Sequence, residues 1–91
     1  MVVYDKSILK AIRKNKIPTR IIDHFNNSFI ALDTVKDYTL FDIKVVEGKI
    51  DGYYRLRKGK YRAIFTRQDD DIYVAIIGKR DEVYKLWEQQ Q

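Results

Sequence analysis

The chain has 91 residues, of which 45% are hydrophobic and 34% are charged, and its formal net charge at pH 7 is +5. This length allows one modest hydrophobic core and excludes two domains of ordinary size, so we predict a single domain over residues 1–91. Because the chain contains no cysteine, disulfides and thiolate metal sites are excluded. The chain lacks a long apolar run and a signal-peptide pattern, and we therefore expect a cytoplasmic protein without a membrane span.

The basic residues are concentrated in two segments. Residues 6–20 carry six basic side chains and no acidic one, and residues 49–67 carry seven basic side chains with Asp51 as the single acid. The rest of the chain is acidic in net charge. This uneven distribution favours a polyanionic partner such as nucleic acid over a membrane surface or an acidic protein. An ordinary solvated surface remains the alternative explanation of the same pattern.

The first half of the chain has helical patterning. Residues 2–4 form a short apolar start that fits an edge strand, and Asp5 or Ser7 can cap a first helix whose apolar stripe is Ile8, Leu9 and Ile12. Pro18 is well placed to open a second helix. The apolar stripe of that helix, at steps of three and four, comprises Ile22, Phe25, Phe29, Leu32 and Val35. Asn26 and Asn27 lower the helix propensity in its middle, where a break is an open alternative.

The second half has strand composition. Lys58-Gly59 separates two runs rich in aromatic and β-branched residues, 53–57 and 60–67, and predicts a two-residue hairpin turn. Since strand side chains alternate, one face of this hairpin is cationic and the other apolar. The predicted cationic face pairs Arg57 with Lys60, Arg55 with Arg62 and Tyr53 with Ile64. The predicted apolar face carries Tyr54, Leu56, Tyr61, Ala63 and Phe65.

A third strand and a C-terminal helix complete the predicted fold. Residues 72–77 follow a turn at 68–71, and pairing Arg67 with Ile72 would place Val74 and Ile76 on the apolar side. Residues 79–91 are predicted to form a short helix, on which Arg80 and Tyr84 lie one turn apart and project together. The predicted class is α+β: an N-terminal helical pair on one face of a three- to four-stranded antiparallel sheet.

The cationic sheet face is the strongest candidate for chemistry. Neighbouring cations repel each other, and an anionic ligand would offset that cost. Arginine suits phosphate because its planar fork donates paired hydrogen bonds and keeps its charge at physiological pH. Tyrosines between the cations can stack on unpaired bases. The alternative is that these arginines form a solvated sheet face and are paired with acidic residues from the rest of the chain.

Other residues carry weaker signals. The run Asp69-Asp70-Asp71 is compatible with a divalent metal, but three acids between two strands are more typical of a solvated turn. His24 is distant in sequence from the basic hairpin, so we expect it on the surface rather than acting as a general base. Trp87 is predicted to anchor the C-terminal helix by packing, with partner contact as the alternative. We expect no metal and no cofactor.

The segment from Tyr53 to Phe65, followed by Ile76-Ile77-Gly78-Lys79-Arg80 and Tyr84, closely resembles the RelE/ParE toxin superfamily. The shared motif is a basic strand, a glycine hairpin, a Tyr-Arg pair opening the next strand, and Lys-Arg then Tyr after the last strand. The resemblance implies a β-α-α-β-β-β core. It also implies the toxin of a type II toxin–antitoxin system, a ribosome-dependent endoribonuclease that cuts mRNA in the decoding site without a metal, and a cognate antitoxin that occludes or distorts the active surface.

The resemblance also implies roles for individual residues. Arg55 and Arg57 match the two basic strand residues of RelE-type enzymes, Arg62 would hold the scissile phosphate, and Arg80 would protonate the leaving oxygen. Tyr84 would stack on or orient an mRNA base. The catalytic set is then Arg57, Arg62, Arg80 and Tyr84, and the RNA-binding set is Tyr53, Arg55, Lys58 and Lys60.

One departure from the RelE pattern concerns the general base. Arginines stand where RelE has lysines, and an arginine is a poor base because it scarcely releases its proton. Arg57 would then act electrostatically, which leaves Glu47, a tyrosine or the ribosome as the base. A ParE-like, non-catalytic inhibitor of DNA gyrase is the second hypothesis, against which Tyr84 argues. A degenerate, non-toxic relative is the third.

Overall fold

The computed structural model describes residues 1–48 and 50–90. Its elements are β1 (Val2–Tyr4), α1 (Lys6–Arg13), α2 (Thr19–Val35), β2 (Ile43–Val45), β3 (Tyr53–Lys58), β4 (Tyr61–Gln68), β5 (Asp71–Lys79) and α3 (Arg80–Gln90), with a 3-10 turn at Tyr38–Leu40 before β2. The α+β class, the helical first half and the C-terminal helix are confirmed.

The strands form one sheet in the order β1-β5-β4-β3-β2. Strand β1 runs parallel to β5, whereas the other neighbours are antiparallel. The sheet is therefore five-stranded and mixed, larger than the three- to four-stranded antiparallel sheet predicted. The additional strand is β2, whose three residues are too few to show a recognisable alternation. The sheet is mixed because β1 pairs in parallel with β5, a long-range pairing that the sequence of three residues does not specify. The predicted edge strand at residues 2–4 is confirmed as β1.

Helix α1 is capped by Asp5, whose carboxylate accepts a hydrogen bond from the Ser7 N–H at 3.0 Å. Ile8 is its buried residue. The predicted stripe is wrong at Leu9, which is 51% exposed. A helix of eight residues buries only a narrow stripe against the sheet, and Leu9 lies one position outside it.

Helix α2 begins directly after Pro18 and runs without a break through Asn26 and Asn27. Its residues Phe25, Phe29 and Leu32 are completely buried, and this packing outweighs the low helix propensity of the two asparagines. Phe29 lies edge-on to Phe65 of the sheet, with ring centroids 5.1 Å apart. Val35 ends the helix and is exposed, so the predicted stripe does not extend to it.

The sheet has a hydrophobic cluster on each face. The larger one joins α1 and α2 to residues such as Leu56, Ala63 and Phe65, which confirms the predicted apolar face of the hairpin. The smaller one joins Ile64 and Ile76 to Val83 and Trp87 of α3. Since side chains on a strand alternate between faces, α3 packs on the opposite face from α1 and α2.

The β3–β4 hairpin differs from its predicted register by two residues. Lys58 pairs with Tyr61 and Arg57 pairs with Arg62, so the turn is Gly59-Lys60 rather than Lys58-Gly59. Gly59 has a φ of 61° and takes the first turn position, where a type II′ turn requires glycine. Because side chains alternate with a period of two, a register shift of two residues leaves each side chain on its predicted face.

Strand β5 contains a bulge. Phe65 pairs with Val74, but Ile64 pairs with Ile76, which leaves Ala75 as an extra residue on β5. The predicted pairing of Arg67 with Ile72 is confirmed, and Val74 lies in the larger cluster as predicted. Ile76 is on the other face, contrary to prediction, because the extra residue inverts the alternation beyond Val74.

Candidate functional site

An open cavity of about 520 Å³, here called the arginine cavity, lies on the cationic face of the sheet. Segments far apart in sequence contribute to it: the β2 region, β3, β4 and α3. Its lining residues are Asp42, Lys44, Arg55, Arg57, Arg62, Arg80 and Tyr84. Five of these side chains are cationic and one is a carboxylate, so the cavity is suited to an anion.

The antiparallel register accounts for three of the guanidinium groups. Arg55 and Arg57 lie two positions apart on β3 and therefore on one face, and Arg62 of β4 lies directly opposite Arg57. Arg55 is nearly buried, with 8% of its surface exposed. Its position next to β2 explains the burial, since Lys44 pairs with it on that strand.

Helix α3 adds the other two side chains of interest. Its first residue, Arg80, donates its backbone N–H to the carbonyl of Lys60 at 3.3 Å, which joins the start of the helix to the hairpin turn. Tyr84 follows one helical turn later and lies on the same side as Arg80. Tyr84 is 38% exposed, so its ring is accessible to a ligand in the cavity.

Burial and the charged groups around Arg62 shift its pKa. Burial lowers the pKa of Arg62, and the charges of Arg55, Arg57 and Arg80 lower it further, while Tyr84 raises it. The Arg62 Nη1 donates to the carbonyls of Gly59 at 2.9 Å and Tyr61 at 3.1 Å. These bonds fix the guanidinium beside the turn. An anion placed among these groups would relieve their mutual repulsion.

Asp42 is the one carboxylate among the described residues that line the cavity. The Arg57 Nε donates to it at 2.5 Å, and an Arg55 nitrogen lies 3.6 Å from its other oxygen. The hydrogen bond from Arg57 holds the pKa of Asp42 below its usual value, and the charges of Arg57, Arg55 and Lys44 act in the same direction. Asp42 is therefore ionised and positions two guanidinium groups.

No protein-family model and no curated protein matches the chain, but solved structures do. The RelB–RelE antitoxin–toxin complex from Methanococcus jannaschii superimposes with a TM-score of 0.70 and 22% identity over 93% of this chain and 98% of that one. The chain has the RelE-like toxin fold. A YafQ variant from E. coli gives a TM-score of 0.66 at 12% identity over 92% of this chain and 97% of that one. The archaeal RelE–RelB complex from Pyrococcus horikoshii OT3 gives 0.62 at 27% identity over 87% and 92%.

In this RelE-like fold, five of the eight site residues predicted from the sequence line the arginine cavity. They are Arg55, Arg57, Arg62, Arg80 and Tyr84. Asp42 and Lys44 also line the cavity but were not predicted, because strand β2 is too short to be recognised from sequence. The alternation of Ile43, Lys44 and Val45 was the available signal, and three residues are too few to carry it.

The other three predicted residues lie elsewhere. Lys58 lines a separate hollow on the helix side of the sheet together with Arg20, His24 and Gly59. Lys60 occupies the second turn position instead of facing Arg57, owing to the corrected register. Tyr53 packs against Trp87, with ring centroids 4.6 Å apart. The RNA-contacting set expected from the sequence is therefore not one surface in the RelE-like fold.

The remaining candidates also have defined positions. Glu47 does not line the arginine cavity; it lines a second cavity that adjoins it. Asp69 and Asp70 form the turn between β4 and β5, as expected. Within residues 1–48 and 50–90 there is no group of three or more metal-ligating side chains. In the same part of the chain, no helix has the length and hydropathy needed to span a bilayer.

Proposed function

We propose that this chain is the toxin of a toxin–antitoxin pair and an endoribonuclease that cleaves mRNA on the ribosome. One observation carries the proposal: in a RelE-like fold, four arginines and Tyr84 from three separate elements line a single open cavity. Such a cluster is costly without an anion. A phosphodiester gains negative charge in its transition state, so preorganised guanidinium groups stabilise that state more than the ground state.

The proposed reaction uses the RNA's own 2′-hydroxyl. Its oxygen forms a bond to phosphorus, and the bond from phosphorus to the 5′-oxygen of the next nucleotide breaks. Arg62, fixed by the turn carbonyls, holds the phosphate, and Arg80 supplies a proton to the departing oxygen. Arg55 and Arg57 stabilise the charge that develops on the phosphate oxygens. Tyr84 stacks on a neighbouring base.

The proton of the attacking hydroxyl must pass to a base. Within the arginine cavity the carboxylate is Asp42, whereas Glu47 lies in the adjoining cavity. Asp42 is already hydrogen-bonded to Arg57 and has a lowered pKa, which makes it a weak acceptor. Asp42 is therefore first a positioning residue for the two arginines, and the proton of the attacking hydroxyl passes to Glu47 of the adjoining cavity, to a tyrosine or to a group of the ribosome.

The proposed partners follow from the same function. The structures from Methanococcus jannaschii and Pyrococcus horikoshii are complexes of RelE with RelB, and we propose that an antitoxin protein likewise binds this chain. The ribosome and its mRNA are the proposed targets, which places the protein in the cytoplasm. Growth arrest on expression, relieved by a protein encoded beside it, would support the antitoxin proposal.

Mapping of transcript ends after a brief induction tests the proposed function. Wild-type chain should produce new 5′ ends within translated regions, and these should disappear when translation initiation is blocked. The Arg80→Ala variant should produce none, while Lys85→Ala, on the same helix but outside the arginine cavity, should cut normally. Growth arrest with intact mRNA and accumulating DNA breaks would instead identify a ParE-like gyrase inhibitor. Harmless overexpression would contradict both.

A further inference from the structure

Gly78 is the last residue but one of β5 and lies on the face of the sheet that carries the arginine cavity. It pairs with Arg62 of β4, which in turn pairs with Arg57 of β3. Directly paired residues of antiparallel strands project to the same side, so these three positions form one row across the sheet. A side chain is therefore missing directly beside the guanidinium that is proposed to hold the phosphate.

The backbone does not require glycine at position 78. Unlike Gly52 and Gly59, Gly78 does not have a positive φ, so alanine can adopt its conformation without strain. Glycine inside a strand weakens the strand, and it commonly marks a bulge or the close approach of another segment. The bulge of β5 is at Ala75, three residues earlier. The close approach of another segment is therefore the remaining reason for this glycine.

That segment is the first turn of α3. A β-carbon at position 78 would lie 3.3 Å from Cγ2 of Val83 and 3.8 Å from Oε2 of Glu82. The first distance is too short for an ordinary van der Waals contact, whereas the second is normal. Val83 is completely buried and packs with Ile64 and Trp87 in the smaller cluster, which leaves it little space into which to move. Helix α3 can lie this close to β5 because residue 78 has no side chain.

We propose that Gly78 is a positioning residue of the arginine cavity, because it lets α3 approach the sheet closely enough for Arg80 and Tyr84 to meet the hairpin arginines. Val83 follows Arg80 by three residues and directly precedes Tyr84. A helix moves as a rigid element, so a displacement of Val83 carries both side chains with it. The inference rests on the proposed function in taking RNA cleavage as the activity that this geometry serves.

The effect of a side chain at position 78 should be selective within the cavity. The three atoms nearest to an added β-carbon belong to Val83 and Glu82 of α3. Arg62, by contrast, is held by hydrogen bonds to the carbonyls of Gly59 and Tyr61. The hairpin part of the cavity should therefore keep its geometry, while the part on α3 moves outward by a few tenths of an ångström.

Trp87 reports the position of α3 independently of any cleavage. It is the single tryptophan of the sequence and lies on α3 one turn after Val83. Its ring packs against Tyr53 of β3, with ring centroids 4.6 Å apart, and it is 4% exposed. An outward displacement of α3 loosens this contact and admits water to the ring. The emission of Trp87 should then move to longer wavelength.

Substitutions of Gly78 test the proposal by single-turnover cleavage of mRNA on programmed ribosomes. Gly78→Ala should cut about three- to tenfold more slowly than wild type, and Gly78→Val about 10²-fold more slowly, because a larger side chain displaces α3 further. The affinity for inorganic phosphate, held by the hairpin arginines, should stay unchanged, and the emission of Trp87 should shift. Wild-type rate and wild-type emission in both variants would overturn the proposal.

Val83→Ala identifies the contact, since it removes the methyl group that the added β-carbon would meet. The double variant Gly78→Ala/Val83→Ala should cut at the rate of Val83→Ala alone and show the same Trp87 emission as Val83→Ala. This comparison also decides the case in which Gly78→Ala is too unstable to purify. Losses that multiply in the double variant would show that the two residues act independently, and the assignment would be refuted.

Gly52→Ala separates positioning from a general loss of stability. Gly52 has a φ of 85°, which alanine adopts only with strain, and Gly52 does not line the arginine cavity. This variant should lower the Tm and leave the cleavage rate of the folded protein unchanged. If Gly52→Ala slows cleavage as much as Gly78→Ala does, the effect follows stability and the positioning role is wrong.

Failure of this inference can be separated from failure of the proposed function. If wild type cuts transcripts and Gly78→Ala cuts them equally fast, the nuclease stands and the role of Gly78 is wrong. If wild type cuts no transcript, but Gly78→Ala shifts the emission of Trp87 and Val83→Ala cancels that shift, Gly78 does position α3 and the nuclease proposal fails.

Discussion

Asp42 bridges Arg57 and Arg55: it accepts a hydrogen bond from the Arg57 Nε at 2.5 Å and lies 3.6 Å from an Arg55 nitrogen. These arginines are neighbours on one face of β3 and would otherwise only repel each other. The bond to Asp42 uses Nε, so it does not occupy the terminal nitrogens of Arg57. The carboxylate thus orients the Arg57 guanidinium and leaves its outer edge for a phosphate.

Asp42→Asn should separate RNA binding from cleavage. Loss of a negative charge raises the net positive charge of the arginine cavity, so RNA binding should tighten and depend more steeply on salt. Cleavage in a single-turnover assay on programmed ribosomes should nevertheless fall by about tenfold or more, because the two arginines lose their common anchor. Asp69→Asn, in the β4–β5 turn, is the control with the same charge change. A rise in both affinity and rate would show that Asp42 does not position the arginines.

Arg62→Ala should reduce single-turnover cleavage by about 10²–10³-fold, the usual effect of removing one donor to a developing anion. Arg62→Lys should recover little activity, since an ammonium group cannot replace the paired donors of the guanidinium. Lys60→Ala makes the same change in charge two residues away, in the turn. Activity of Lys60→Ala close to wild type is expected because Lys60 lies in the turn and does not line the arginine cavity, whereas a loss equal to that of Arg62→Ala would show that Lys60 also acts in the site.

Phe29→Ala should destabilise the fold by about 3–5 kcal/mol, as for other truncations of large buried aromatic residues. Phe29 is fully buried between Phe25 and Phe65, and a small domain has little stability in reserve. Leu9→Ala should cost less than about 0.5 kcal/mol, because Leu9 is on the surface. Urea unfolding followed by tryptophan fluorescence measures both values. Similar losses for the two variants would contradict the observed helix stripe.

Stability at low pH should depend on Asp5. Hydrogen bonds from the Ser7 and Tyr73 side chains and the Ser7 N–H hold the pKa of Asp5 below its usual value of 3.8. A carboxyl group whose pKa is lower in the folded state stabilises the fold above the unfolded-state pKa, and this contribution is lost as the pH falls through the folded-state pKa.

Asp5→Asn should therefore flatten the dependence of Tm on pH below about pH 4, while asparagine preserves the helix cap. Thermal unfolding followed by circular dichroism from pH 7 to pH 2 measures this dependence. Asp23→Asn, at an exposed position of α2, should leave the wild-type profile unchanged. An identical acid transition in Asp5→Asn and wild type would show that the hydrogen bonds of Asp5 contribute no pH-dependent stability.

The arginine face was predictable because its signal is short-range. Arg55, Arg57 and Arg62 belong to one hairpin, and strand alternation puts them on one face in any register that differs by an even number of residues. The exact turn was not predictable, since Lys58-Gly59 and Gly59-Lys60 are both acceptable two-residue turns around a glycine. Lys60 was misplaced for this reason.

Features that depend on long-range packing were not predictable. The contribution of Asp42 requires β2 to pair with β3, and nothing within residues 42–45 specifies that pairing. The bulge at Ala75 cannot be recognised from the neighbouring sequence. Strand β5 has apolar residues on both faces, since α3 covers the face opposite α1 and α2, so its hydrophobic pattern does not reveal the extra residue. Leu9 and Val35 fit a helical stripe, and only the dimensions of the sheet beneath them decide that they remain exposed.

The extra residue at Ala75 decides which face of the sheet each later residue of β5 lies on. It turns Ile76 toward α3 and Ile77 toward the helical pair, and so it decides on which side of the sheet the chain enters α3. Deleting Ala75 would restore a regular ladder yet send the last helix to the wrong side, separating Arg80 and Tyr84 from the hairpin arginines. An irregularity in one strand thus decides whether the C-terminal helix meets the hairpin arginines, and with it whether the arginine cavity is assembled at all.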